Sequence, residues 1–127
     1  MFFDEEKLFW KGVEEFNGGR YFDAHETWEA LWREISGPRR LFYQGLIQAA
    51  AGLYHLARDN YRGACSQLEK ALDKLGQYLP VYHGINTQHL VVGVRVCLQE
   101  AALLRSGAAI RQGSTPVPII EKFQQDT

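Results

Sequence analysis

Leu46-Ile47-Gln48-Ala49-Ala50-Ala51-Gly52-Leu53 is the stretch on which the architecture turns. It is apolar over most of a helical circumference, and a helix of that kind has to be surrounded by others. The three- and four-residue spacing of apolar residues extends it to about Arg39 and Asp59. The expectation is an all-α compact bundle of five or more helices, with the helix over about 39–59 at its centre. Gly45, Ala49 and Gly52 are small enough to let neighbouring backbones approach closely, which favours a compact bundle over an extended array.

Breaks in the pattern fall where Gly, Pro and Asn cluster. A first helix is predicted from about Asp4 to Phe16, with an acidic first turn suited to the positive end of a helix dipole, ending at Asn17-Gly18-Gly19. A second runs from about Tyr21 to Ile35, stopped by Ser36-Gly37-Pro38. A fourth covers about Tyr61 to Tyr78 before Pro80. After a loop containing His83-Gly84, Asn86 or Thr87 caps a fifth helix ending near Ser106-Gly107. Residues 1–112 then form one domain, and 113–127, with Pro116 and Pro118, an extended tail whose Ile119, Ile120 and Phe123 dock on the bundle or on another chain. A faint repeat offset by 40 residues pairs Phe16, Tyr21, Ala24 and Trp28 with Leu56, Tyr61, Ala64 and Leu68. Two such hairpins are only an analogy to tetratricopeptide arrays, whose period is about 34.

A chain of 127 residues is long enough to bury one core. Its net charge of −1 supplies no field that would gather nucleic acid or an anionic membrane. Cys65 and Cys97 lie within apolar helical patterns, which reads as free buried thiols in a reducing cytoplasm. No basic segment leads into an apolar run, and no uncharged stretch approaches the roughly 20 residues that span a bilayer.

The densest motif is Phe16-Asn17-Gly18-Gly19-Arg20-Tyr21-Phe22-Asp23-Ala24-His25-Glu26-Thr27-Trp28-Glu29-Ala30-Leu31-Trp32-Arg33. At about 100° per residue, Ala24, Trp28, Leu31, Trp32 and Ile35 share one broad face, with His25 at its edge. Glu29, one turn on, stands beside His25, so the two can share a proton or a cation. Glu26 points nearly opposite the apolar centre, as a solvated carboxylate does. Trp28 and Trp32 have core spacing more than platform spacing. On the central helix Arg40, Gln44, Gln48, Ala51 and His55 fall within a stripe about 80° wide, with Tyr43 and Tyr54 at its borders. Buried polar groups need partners, and His25 and Glu29 are the natural ones. The bland alternative is a closed hydrogen-bond network that fixes helix register.

The run from Phe16 to Arg33, with Arg40, Phe42-Tyr43-Gln44-Gly45-Leu46-Ile47-Gln48, Ala50-Ala51, His55 and Asn60-Tyr61-Arg62-Gly63-Ala64, resembles the mainly prokaryotic family catalogued as domain of unknown function 309. The resemblance covers about Leu8 to Leu79. It implies a compact helical bundle with one central helix. The family's His-Glu followed by Trp-Glu and Trp is matched by His25, Glu26, Trp28, Glu29 and Trp32, which raises Glu26 to a candidate catalytic residue beside His25 and Glu29. It carries over no activity, substrate or cofactor.

The preferred reading is a small helical binding or interaction module whose polar pocket or seam between the second and third helices involves Trp28, Trp32, Arg40, Tyr43, Gln44, Gln48 and His55. Its partner would be a protein or a small-molecule ligand. The alternative is a metal-dependent or acid/base, hydrolase-like enzyme, with a divalent metal held by His25, Glu29 and His55 and Glu26 as base. A variant set would use His25, His55 and His83 or His89. Against it, no second His completes a zinc-protease helix and no Glu-x-x-His pair of di-iron bundles occurs. Arg33, Arg39 and Arg40 with Tyr43 are a weak nucleic-acid signal and read as a solvated turn. Serine-nucleophile elbows and phosphate-cradling loops are absent. The apolar segment from Pro116 to Phe123 makes a homo-oligomer conceivable.

Overall fold

Asp4 sets the first helix going: its side chain accepts the Lys7 backbone N–H at 3.0 Å, satisfying one of the donors that a helix start leaves open. The computed structural model describes residues 3–108 and 117–123. Five helices follow in order, α1 (Glu5–Asn17), α2 (Tyr21–Trp32), α3 (Arg39–Ala57), α4 (Tyr61–Leu75) and α5 (Thr87–Ser106). A two-stranded hairpin, β1 (Val81–Tyr82) and β2 (Ile85–Asn86), sits between α4 and α5. Asn60 and Asn86 cap α4 and α5 by accepting from Gly63 N and His89 N. Gly107, in the left-handed region at φ 77°, closes α5.

Three boundaries differ from the sequence expectation. α2 stops at Trp32 rather than near Ile35, and α4 at Leu75, where a 3-10 turn over Gly76–Tyr78 takes over. The expected His83-Gly84 loop is a hairpin turn: Tyr82 pairs with Ile85, and His83 and Gly84 take φ of 52° and 80°. That combination belongs to the two-residue turns that match strand twist. Strands of two residues are too short for a period-two pattern to register.

Each helix packs against the next, and α3 lies between α2 and α4 along its length. From α1, Phe9 reaches the α3 aromatics Phe42 and Tyr43. Close approach is enforced by two glycines. A Cβ on Gly52 would stand 2.5 Å from Leu68 Cδ2, and one on Gly12 would stand 2.1 Å from Trp28 Nε1. Trp28 is wholly buried and its indole N–H donates to the Phe9 carbonyl at 3.2 Å.

The described part of the tail adds an extended segment to the hairpin. Asn86 N donates to Glu121 O, Phe123 N donates to Gly84 O, and Asn17 holds both the N–H and the carbonyl of Ile120. Ile120 docks as expected, whereas Ile119 and Phe123 stay exposed, because consecutive residues of an extended chain face opposite sides. The expected tail residues Gly113 to Pro116 lie outside the described residues. Among those described, no helix is long and apolar enough to cross a membrane.

Candidate groove between α2 and α3

Residues 22, 25, 29 and 32 recur at helical spacing along α2, and 44, 47, 48, 51, 54 and 55 do so along α3; where the two stripes meet they leave a groove. One hollow of about 170 Å³ is lined by Phe22, His25, Ala51, Tyr54 and His55. A second, of about 270 Å³, is lined by Glu29, Trp32, Gln44, Ile47 and Gln48. Since Glu29 follows His25, and Gln48 precedes Ala51, by about one helical turn, the hollows are consecutive.

The ionic geometry of the groove is local to α2. His25 Nε2 lies 3.1 Å from Glu29 Oε2, and Glu29 Oε1 accepts from Arg33 Nη2 at 2.6 Å. His25 Nδ1 is 3.6 Å from Glu26 Oε1, too far for a hydrogen bond. The Arg40 guanidinium stacks 3.7 Å from the centre of the Trp32 ring. His25 Nδ1, Trp32 Nε1 and Gln48 Oε1 are shielded from solvent without a hydrogen-bond partner.

Of the residues predicted for the seam, His25, Glu29, Trp32, Gln44, Gln48 and His55 line the two hollows, and Arg40 covers Trp32. Two do not belong. Trp28 is core, and Tyr43, wholly buried, turns its hydroxyl to Glu5 and His83. Glu26 remains 61% exposed, as its place on the wheel requires. Among the described residues no three His, Cys, Asp or Glu side chains converge as a metal ion would need. His25 and Glu29 are adjacent, but His55 shares a hollow with His25 and not with Glu29, and its ring meets Asn60 Nδ2 at 3.2 Å. His83 is at the hairpin and His89 pairs with Glu121 at 3.2 Å, so the three-histidine set does not assemble either. The three arginines diverge: Arg33 to Glu29, Arg39 to Glu5, Arg40 to Trp32.

A second polar cluster escaped the sequence reading. Arg39 grips Glu5 with two 2.6 Å bonds, from Nε and Nη2. The Tyr43 hydroxyl lies 3.1 Å from Glu5 Oε2 and 2.9 Å from His83 Nε2. The hydrogen bond from Arg39 holds the Glu5 carboxyl below its ordinary range. Burial pushes the Tyr43 phenol up and the His83 imidazole down. A cleft of about 390 Å³ beside it is bordered by Glu5, Glu6, Phe9, Trp10, His83 and Gly84. Nothing in the spacing joins Glu5, Arg39 and His83; only the meeting of helix starts with the hairpin turn does.

Residues 9–66 match the family model described as Domain of unknown function (DUF309), a shorter span than the resemblance suggested. The uncharacterized protein YpuF of Bacillus subtilis (strain 168) is 42% identical over 52 residues, which is 39% of this chain and 30% of that protein. The matched stretch contains α2 and α3 whole, and therefore both walls of the groove.

Proposed function

We propose, with residues 9–66 matching the model of a family of unknown function, that this domain is a binding module whose ligand lies in the groove between α2 and α3. One observation carries the reading: His25 Nδ1, Trp32 Nε1 and Gln48 Oε1, on residues lining that groove, are shielded and unpartnered. Each such atom costs about 1–3 kcal/mol, so three along one groove favour a ligand that satisfies them. Phe22, Ala51 and Tyr54 supply an apolar wall at one end, and the amides of Gln44 and Gln48 supply polar contacts at the other. This is the usual make-up of a small-ligand site. A cytoplasmic setting goes with this reading, on the strength of the two free, buried thiols.

A second reading, acid/base catalysis in the same groove, is favoured by one contact. Glu29, 3.1 Å from His25 Nε2, orients the imidazole and leaves Nδ1 free to take or give a proton.

The test is a fragment screen followed by ¹⁵N–¹H NMR, with the Trp32 indole signal assigned through Trp32→Phe. Hits are expected to move the Trp32 indole together with the backbone amides of His25, Gln44 and Gln48. Hits confined to the cleft at Trp10 and His83, or none at all, would refute the groove.

A further inference from the structure

We infer that the ligand of the α2/α3 groove is an amphipathic carboxylate: an oxyanion held by Trp32, Arg40 and the Gln44 and Gln48 amides, carried on an apolar body about 10 Å long. The inference rests on the groove reading above and adds the charge and shape of the ligand.

The polar end asks for an acceptor. An indole N–H can only donate, so the shielded, unpartnered Trp32 Nε1 requires an acceptor atom. Arg40 points the same way. Among the described residues its guanidinium pairs with no carboxylate, and its contact is the face of Trp32 at 3.7 Å. Stacking leaves the in-plane N–H edge of a guanidinium available, and that edge matches the two oxygens of a carboxylate. Gln48 adapts to either polarity: its buried Oε1 has no partner, and a half-turn of the amide puts the NH₂ donors in its place.

The charges facing the groove from α2 do not oppose an anion. Glu29 lies there, but Arg33 Nη2 at 2.6 Å and His25 Nε2 at 3.1 Å already engage its two oxygens. Glu26 is turned to solvent. With Glu29 offset by Arg33, Arg40 is the uncompensated charge at this end. A cationic ligand would meet it directly, and a neutral one would leave it unpaired.

The other end sets the body of the ligand. From Gln44 to Ala51 is seven residues of α3, about 10 Å at 1.5 Å per residue. There the wall becomes Phe22, Ala51 and Tyr54, with the Phe22 and Tyr54 rings 5.5 Å apart. An aryl or short alkyl chain carrying a terminal carboxylate fits both ends.

Three matched probes test this: 4-phenylbutyrate, its primary amide and 4-phenylbutylamine, each titrated to millimolar concentration and followed by the groove signals. The carboxylate is expected to bind at least about tenfold more tightly than the amide, the amine more weakly still, a ratio that one charge-assisted contact supplies. Arg40→Gln should abolish the difference between carboxylate and amide. Trp32→Phe, which keeps the stacking face and deletes the donor, should weaken the carboxylate. If the amide or amine binds in the groove as tightly as the carboxylate, the groove stands and the carboxylate falls. If none of the three binds while the fragment screen returns groove hits, the carboxylate again falls alone. If the probes move only Trp10 and His83, both readings fall.

Discussion

The Tyr43 hydroxyl lies 2.9 Å from His83 Nε2, joining α3 to a hairpin turn 40 residues away in the chain. The same hydroxyl is 3.1 Å from Glu5, whose carboxylate can only accept. With the single phenolic proton given to Glu5, His83 presents Nε2–H to the phenol oxygen. A buried tyrosine thus orders the imidazole and ties α1, α3 and the hairpin together.

Tyr43→Phe should destabilise the fold by about 0.5–1.5 kcal/mol, because it keeps the ring and removes the hydroxyl from its part-buried partners Glu5 and His83. Tyr54→Phe, at the edge of the groove, should stay within about 0.5 kcal/mol. Urea unfolding of both variants checks this, and equal effects would mean that the Tyr43 network contributes nothing.

Acid should weaken the protein in two stages. His83 is held below its ordinary 6.5 by burial, and Glu5 below its ordinary 4.5 by the bond from Arg39. In both cases the unfolded chain binds the proton more readily. The stabilising contribution is therefore complete above the unfolded-state value and is lost as pH falls through the folded one. Melting temperature should begin to drop below about pH 6.5 and drop further below about pH 4.5. Glu5→Gln should flatten the lower stage; an unchanged slope would count against the pairing with Arg39.

Gly12→Ala should cost about 1–3 kcal/mol or more, since its methyl would press on the Trp28 indole. Gly76→Ala has open space and φ −60°, so it should be neutral or stabilising by up to about 1 kcal/mol. Chemical denaturation of the pair separates crowding from loss of glycine as such.

The indole N–H groups of Trp28 and Trp32 should behave oppositely. Trp28→Phe removes a bond to the Phe9 carbonyl from a fully buried ring and should destabilise by about 1–3 kcal/mol. Trp32→Phe removes a donor that has no partner, a gain offset by the smaller ring's lost packing, and should be near neutral, within about 1 kcal/mol. A large loss at Trp32 in the ligand-free protein would show that its N–H is already satisfied.

Neither thiol should react in the folded state. Burial pushes Cys97 up to about 11, and Cys65 is 3% exposed. A thiol reagent at neutral pH should find none before unfolding and two after it; fast labelling of native protein would contradict the packing of α4 and α5.

Much of the helical plan was written locally. Asp4, Asn60 and Asn86 act as caps through bonds to N–H groups three residues on, and such bonds depend on the side chain and its own turn. The periodic faces of α2 and α3 likewise placed His25, Glu29, Gln44, Gln48 and His55 toward a common seam, because a helix carries fixed angular relations with it. Trp28 and Trp32 were less legible. They lie on the same broad face, yet one is sealed in the core by Gly12 and the other borders the groove under Arg40. That division is made by the neighbouring helix.

The helices, their order and the stripe of polar residues that faces α2 are thus readable from the amino-acid order, since each depends on spacing within one turn or one face. Packing in three dimensions is what keeps His25, Glu29 and His55 from converging as metal ligands, gives Tyr43 to Glu5 and His83, and leaves Trp32 Nε1 and Gln48 Oε1 without partners. Those facts depend on distances between segments far apart in the chain, and such distances are set by how the helices and the hairpin pack.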